Sequence, residues 1–185
     1  YEMGYTIKHL AIAKSMKNSI DLRAHPSLVK LDSYLANLKG VRNGIEVETD
    51  LLGTLHLAGS GAGQESTASG IISDLVHLAN SSEEHLKAAS NEKVILSEFL
   101  NLTFQYYFYI EAEDIPGVMA SITSVFADKS VGLETIVQKE NLDENFVPIV
   151  IITDPFKEQD HSNLIENLEK LDSIKSVRTI RIEQD

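Results

Sequence analysis

The sequence predicts an α+β chain in two parts: a first half of mixed strands and helices, then a ferredoxin-like βαββαβ module. Three observations carry this. In the second half, stretches with apolar residues at every second position alternate with stretches at helical spacing, in the order βαββαβ. In the first half, two alternating stretches lead into a strand, a glycine-rich loop and an amphipathic helix. Between the halves, the polar run Asn80-Ser81-Ser82-Glu83-Glu84 breaks both patterns. The length of 185 residues leaves room for two small cores. The expected boundaries are residues 1–82 for the first part, 83–101 for a linker of helical character and 102–185 for the second part.

Taken in order, Ile7, Leu10, Ala11 and Ala13 recur at helical spacing, with Lys14 and Lys17 where a helix C-terminus favours cations, so Tyr5 to Lys17 reads as a helix. Ile20, Leu22 and Ala24 alternate with polar residues as far as Pro26, and Ile45, Val47 and Thr49 alternate with Glu46, Glu48 and Asp50; both read as half-exposed strands. A third strand from Leu51 to Ala58 enters Gly59-Ser60-Gly61-Ala62-Gly63. After it, Ala68, Ile71, Ile72, Leu75 and Ala79 mark one helical face. His85 to Leu100 has helical composition. Phe104, Tyr106, Phe108 and Ile110 then alternate as a strand, Asp114-Ile115-Pro116-Gly117 turns the chain, and Val118, Ile122, Val125 and Phe126 line a helix. Strands through Leu133–Val137 and Phe146–Thr153, a helix on Leu164, Ile165, Leu168 and Leu171, and a strand from Val177 to Ile182 complete the module. Pro148 calls for an edge position or a bulge.

A net charge of -12 and a pI near 4.9 exclude a nucleic-acid surface, because no basic stripe interrupts the acidity. The absence of cysteine excludes disulfides and thiolate metal sites. No apolar run approaches the ~20 residues that span a bilayer, and a cytoplasmic setting without membrane is the expectation. The start on Tyr1 rather than Met suggests a trimmed N-terminus.

Among candidate sites, the glycine loop lets backbone approach a ligand at a helix start. Neither dinucleotide nor phosphate-loop motif is complete: Gln64 stands where G-x-G-x-x-G needs its last glycine, and Gly63 is not followed by Lys. Two readings stay open there, a tight connection capped by Ser66 or Thr67 and a cofactor cradle. The six histidines share no metal-ligand spacing, so no metal site is expected. No nucleophile–base pair is legible. Gly117 can expose helix-start N–H groups to a carboxylate ligand, or simply close a turn.

Three segments resemble the end of the homoserine dehydrogenase catalytic region: Tyr5 through Lys14, Leu22-Arg23-Ala24-His25-Pro26-Ser27-Leu28, and Gly59 through Gln64 with Thr67-Ala68-Ser69 and Asp74-Leu75. This sequence carries Ser60 where that family usually has Pro, and Glu65-Ser66 where it has an apolar residue and Pro. The resemblance implies that Gly61, Ala62, Gly63 and Thr67 lie beside NAD(P). It further implies that the Rossmann half and the homoserine-binding lysine and acidic residues precede Tyr1. The chain alone is then expected to be inactive and to hold no cofactor tightly.

The second half is similar to ACT domains, through Asp114-Ile115-Pro116-Gly117-Val118 and Ile136-Val137-Gln138-Lys139. This likeness implies a homodimer or higher homo-oligomer and an amino-acid effector, threonine for this pathway, held by Asp114, Gly117 and Gln138. The expectation is a C-terminal piece of an oxidoreductase that interconverts L-homoserine and aspartate semialdehyde for threonine and methionine biosynthesis, under allosteric control. A stand-alone ACT-type regulator and a purely structural dimerisation module are the alternatives.

Overall fold

The computed structural model describes residues 2–80, 93–140 and 146–183. Its strands are β1 (Tyr5–Ser15), β2 (Ile20–Lys30), β3 (Arg42–Thr49), β4 (Gly53–Ser60), β5 (Thr103–Glu113), β6 (Leu133–Gln138), β7 (Phe146–Thr153), β8 (Phe156–Lys157) and β9 (Ile174–Ile182). Its α-helices are α1 (Gln64–Asn80), α2 (Val118–Asp128) and α3 (Glu158–Glu169). Two compact units result, Tyr1–Thr6 with Lys30–Val94, and Ile7–Val29 with Ile95–Asp185.

In the second unit, β5, α2, β6, β7, α3 and β9 follow the βαββαβ order expected. The strands lie side by side as β9-β5-β7-β6, all antiparallel. Alternation decides what each strand gives to the core. Tyr106, Phe108, Ile110 and Ala112 of β5 and Val147, Ile149 and Ile151 of β7 share one apolar cluster with Val118, Ile122 and Phe126 of α2 and Leu164 and Leu168 of α3. Both helices therefore cover the same face. Phe108 and Phe126 meet edge to face with ring centroids 5.2 Å apart.

The first half adds strands to this sheet. β2 lies parallel to β9 with Ser27 opposite Arg181 and Leu28 opposite Ile182, and β1 lies beyond β2. Here the helix expected over Tyr5–Lys17 is corrected to strand. Thr6, Lys8, Leu10 and Ile12 are half-buried, whereas Ile7, Ala11 and Ala13 are exposed, so the set spaced like a helix face divides between the two sides of a ribbon. Pairing with β2 outweighs a local pattern that short apolar stretches leave ambiguous. The second expected strand likewise continues past Pro26 to Lys30, because β9 supplies partners to Ser27 and Leu28.

Pro148 needs a second correction. β7 is an interior strand, paired on both sides, and neither of its ladders shifts register at Pro148. The Pro148 carbonyl accepts a bond from Lys139, one residue past the end of β6. A strand residue presents its N and its carbonyl on the same side, so the N–H that proline lacks is missing only where the β6 ladder has already stopped.

The helical composition from His85 to Leu100 falls partly outside the described residues. Over residues 93–100 no α-helix forms: Ile20 donates to the Ile95 carbonyl at 2.8 Å and accepts from Ser97 at 2.9 Å, and a single 3-10 turn follows at Phe99–Asn101.

In the first unit, β3 and β4 form a hairpin registered from Arg42 opposite Ser60 to Thr49 opposite Gly53. The expected third strand begins later than Leu51, because Leu51, Leu52 and Gly53 (φ +69°) carry the turn, which the Thr49 hydroxyl ties by accepting from Leu52 N–H. α1 follows the loop and buries none of its residues; Ile71, Ile72, Leu75, Val76 and Leu78 all stand exposed.

Candidate functional site

The glycine loop joins β4 to α1 in the first unit. Gly61 donates its N–H to the Val41 carbonyl at 2.8 Å, and a Cβ there would collide with the Asn43 side chain. Gly63 has φ +122°, a conformation that L side chains rarely adopt. Thr67 N–H donates to the Gly63 carbonyl as the first helical bond, which puts Thr67 inside the first turn. The Ser66 hydroxyl donates to the carbonyls of Ala62 and Gly63 at 3.1 and 3.0 Å. In those bonds it donates to carbonyls rather than accepting helix-start N–H groups, and so does not perform the capping considered for it. Ala62 is exposed between the two glycines.

In the second unit, Asp114 follows β5, Gly117 precedes α2 with φ +98°, and Gln138 ends β6. The Gln138 amide donates to Asp114 Oδ1 at 3.3 Å, so two residues 24 positions apart meet beside the start of α2. A Cβ on Gly117 would meet no atom within 4 Å; its backbone angle, not crowding, is what selects glycine there.

A third cluster was not legible in the sequence. Arg181 lies opposite Tyr106 in the β5/β9 register and so points to the helix side of the sheet, where Glu158 begins α3 and His161 follows almost one turn on. Glu158 is buried and accepts from Arg181 Nε at 3.1 Å and Nη2 at 2.5 Å, and from the Tyr106 hydroxyl. Burial would raise the Glu158 pKa, but the bonds from Arg181 and Tyr106 outweigh it and hold the carboxyl below its ordinary value. Burial, with the bond to Glu158, pushes the Tyr106 phenol well up. His161 stacks on Tyr106 at 4.2 Å and shares a hydrogen bond of 3.0 Å with the Thr179 hydroxyl; burial lowers its pKa. The Arg181 guanidinium lies over the rings of Phe99, Phe104 and Tyr106.

β2 completes the cluster. Arg23 pairs with Asp21 at 3.1 Å and with Glu183 at 2.8 Å, all three side chains being nearly buried. His25 Nδ1 approaches the Pro26 carbonyl at 3.2 Å and the Ser27 hydroxyl at 2.9 Å. The signal available beforehand was the pair Thr179 and Arg181, polar residues at two-residue spacing on the same strand face as apolar Val177. Only the register reveals that they face Glu158 and His161.

Among the described residues, no three His, Asp or Glu side chains come together as a metal site, and no helix is long and apolar enough to cross a membrane.

Comparison with known proteins gives the family. The homoserine dehydrogenase family profile matches residues 1–76. The homoserine dehydrogenase of Pseudomonas aeruginosa is 33% identical over 193 residues, covering 98% of this chain, and that of Helicobacter pylori is 35% identical over 184 residues, also covering 98%. The chain belongs to the homoserine dehydrogenase family. It spans 44% of the length of these two relatives. The crystal structure of a homoserine dehydrogenase from Thiobacillus denitrificans matches with a TM-score of 0.80 at 32% identity, over 99% of this chain and 43% of that one. The likeness therefore runs through the glycine loop, the Asp114–Gln138 pair and the buried cluster alike.

Proposed function

We propose that this chain is the C-terminal part of an NAD(P)-dependent homoserine dehydrogenase acting in the cytoplasm, and that it contributes a cofactor-side loop, subunit association and amino-acid sensing. The parent reaction is the interconversion of L-homoserine and aspartate semialdehyde on the route to threonine and methionine. The family likeness over 98% of the chain supports the parent activity. The exposed apolar side of α1 supports a larger parent, since Ile71, Ile72, Leu75, Val76 and Leu78 leave a face for further chain to cover. By itself the chain is catalytically silent, because hydride transfer needs both a held cofactor and a positioned acid–base group.

Gly61, Ala62, Gly63 and Thr67 are the residues that would lie against NAD(P). Their fit rests on the exposed backbone around Gly63, whose positive φ keeps a side chain out of the loop. Gly61 has a structural reason as well, since Asn43 occupies the space of a Cβ. When bound, the nicotinamide supplies the hydride acceptor or donor; the loop contributes backbone and the helix start beyond it.

The single observation that carries the sensing role is the approach of Gln138 to Asp114 beside the left-handed Gly117. An α-amino acid would find there a carboxylate for its ammonium group, an amide, and helix-start N–H groups for its carboxylate. The domain boundaries we infer are residues 1–82 for the catalytic remnant, 83–101 for a linker and 102–185 for the ACT-type module. One observation favours a second reading, a structural module that binds nothing: Gln138 and Asp114 already satisfy one another. Isothermal titration with L-threonine separates the two. Saturable binding that is lost in Asp114→Ala and Gln138→Ala is expected for the sensor. No heat in a folded, associated sample establishes the structural module instead.

A further inference from the structure

Between Ile7 and Val29 the chain leaves the first unit, runs through β1 and β2, and returns to the first unit at Lys30. None of these residues belongs to the apolar cluster shared by β5, β7, α2 and α3, and Leu28 and Val29 are their only buried apolar side chains. What docks the stretch at the seam with β9 is polar. Arg23, with 5% side-chain exposure, lies 3.1 Å from Asp21 of its own strand. It also grips Glu183 with both prongs of its fork, Nη1 at 2.8 Å and Nη2 at 3.0 Å. Lys14 of β1 reaches the same carboxylate at 3.5 Å. Glu183, the residue after β9, further donates its backbone N–H to the Leu28 carbonyl at 2.9 Å. One residue of the module therefore holds β1 by charge and β2 by charge and backbone.

A strand docked by apolar side chains leaves only by exposing them to water. Charged side chains regain their hydration on leaving, and that gain offsets much of the attraction lost. The Arg23–Asp21 pair lies within β2 and survives release intact, so Glu183 is the carboxylate left behind. The β2/β9 register is short, Ser27 opposite Arg181 and Leu28 opposite Ile182. The module loses nothing from its own core, because the four strands and two helices that build the cluster all lie outside Ile7–Val29. We propose that Ile7–Val29 is a strap that detaches from β9 as one piece while the βαββαβ module stays folded, with Glu183 as its latch. The strap carries Leu22–Leu28, one of the segments through which the first half resembles its family. The latch is thus where that half is fastened to the module. Asp114 and Gln138 lie elsewhere, and the strap is independent of the sensing role.

The test is amide hydrogen exchange of the 185-residue chain, followed residue by residue by NMR in low concentrations of urea. Amides of β2 should exchange through an opening at least about tenfold more populated than the one that frees Val150 and Ile151 of β7. Their dependence on urea should also be shallower, because release of the strap exposes less surface than unfolding. Two variants separate the openings. Glu183→Gln keeps the side-chain shape and the backbone bond to Leu28 but removes the charge, and should speed exchange in β2 at least about tenfold. Ile110→Val weakens the module core and should speed exchange in β7 about two- to tenfold. It should leave β2 unchanged, because the docked and detached states share that core. Equal protection and equal urea dependence in β2 and β7 overturn the proposal. So does acceleration of β2 by Ile110→Val as large as that of β7, or a β2 indifferent to Glu183→Gln. The contrast between β2 and β7 in the unaltered chain decides the matter even if a variant does not fold. Failure here leaves the threonine titration untouched, since that is read at Asp114 and Gln138.

Discussion

Arg181 is held by one carboxylate and three aromatic rings, and that makes Glu158 the residue on which the cluster turns. Replacing Glu158 by Gln leaves a guanidinium with 20% side-chain exposure and no charged partner there, a loss of about 3 kcal/mol by the usual cost of breaking a buried pair. Urea unfolding followed by tyrosine fluorescence measures it. The sign of the acid dependence follows from the same bonds. Because the folded carboxyl sits below its ordinary value of 4.5, its stabilisation is complete above that value and is lost as pH falls through the folded one. Glu158→Gln should flatten that part of the profile of thermal midpoint against pH. His161 acts in a higher window. Its folded pKa is depressed by burial, so below 6.5 the unfolded chain takes up the proton first and stability falls with pH. His161→Phe, which retains a ring over Tyr106, should remove this component, as measured by thermal unfolding between neutral and mildly acidic pH.

Among the elements, α2 and β5 form the centre of the second unit. Phe108, with no exposure, packs on Phe126, and Phe108→Ala should cost about 3–5 kcal/mol in denaturant unfolding. At the start of α2, Gly117→Ala forces a Cβ into the left-handed region for about 1–2 kcal/mol. A circular dichroism melt should detect that loss without any change in the core. These elements were legible in the sequence because their alternation and helical spacing extend over whole segments and agree with one another. β1 was not legible. Its apolar residues satisfy both periods, and the choice was made by β2, which offers a ladder along Tyr5–Ser15. The Asp114 and Gln138 positions followed from family likeness, whereas Glu158, His161 and Arg181 went unread. Their meeting depends on the β5/β9 register and the start of α3, which no local pattern encodes.

Across the whole molecule, the two units are unequal in what they bury. The second has a closed apolar cluster, while α1 in the first unit buries nothing. Substituting Leu75→Glu should therefore change the unfolding free energy of this chain by no more than about 0.5 kcal/mol, while reducing hydrophobic-dye binding and self-association measured by light scattering. A large loss of stability would mean that Leu75 is packed in solution. The sequence by itself determined the βαββαβ module, the glycine loop with its helix, and the acidic character, because each depends on residue type and local period. Only the tertiary structure decided that Tyr5–Ser15 is a strand, that β2 joins the far sheet, and that two histidines, two arginines and two glutamates converge at that seam. Those outcomes depend on pairing between distant segments, whose energy is not written in any one of them.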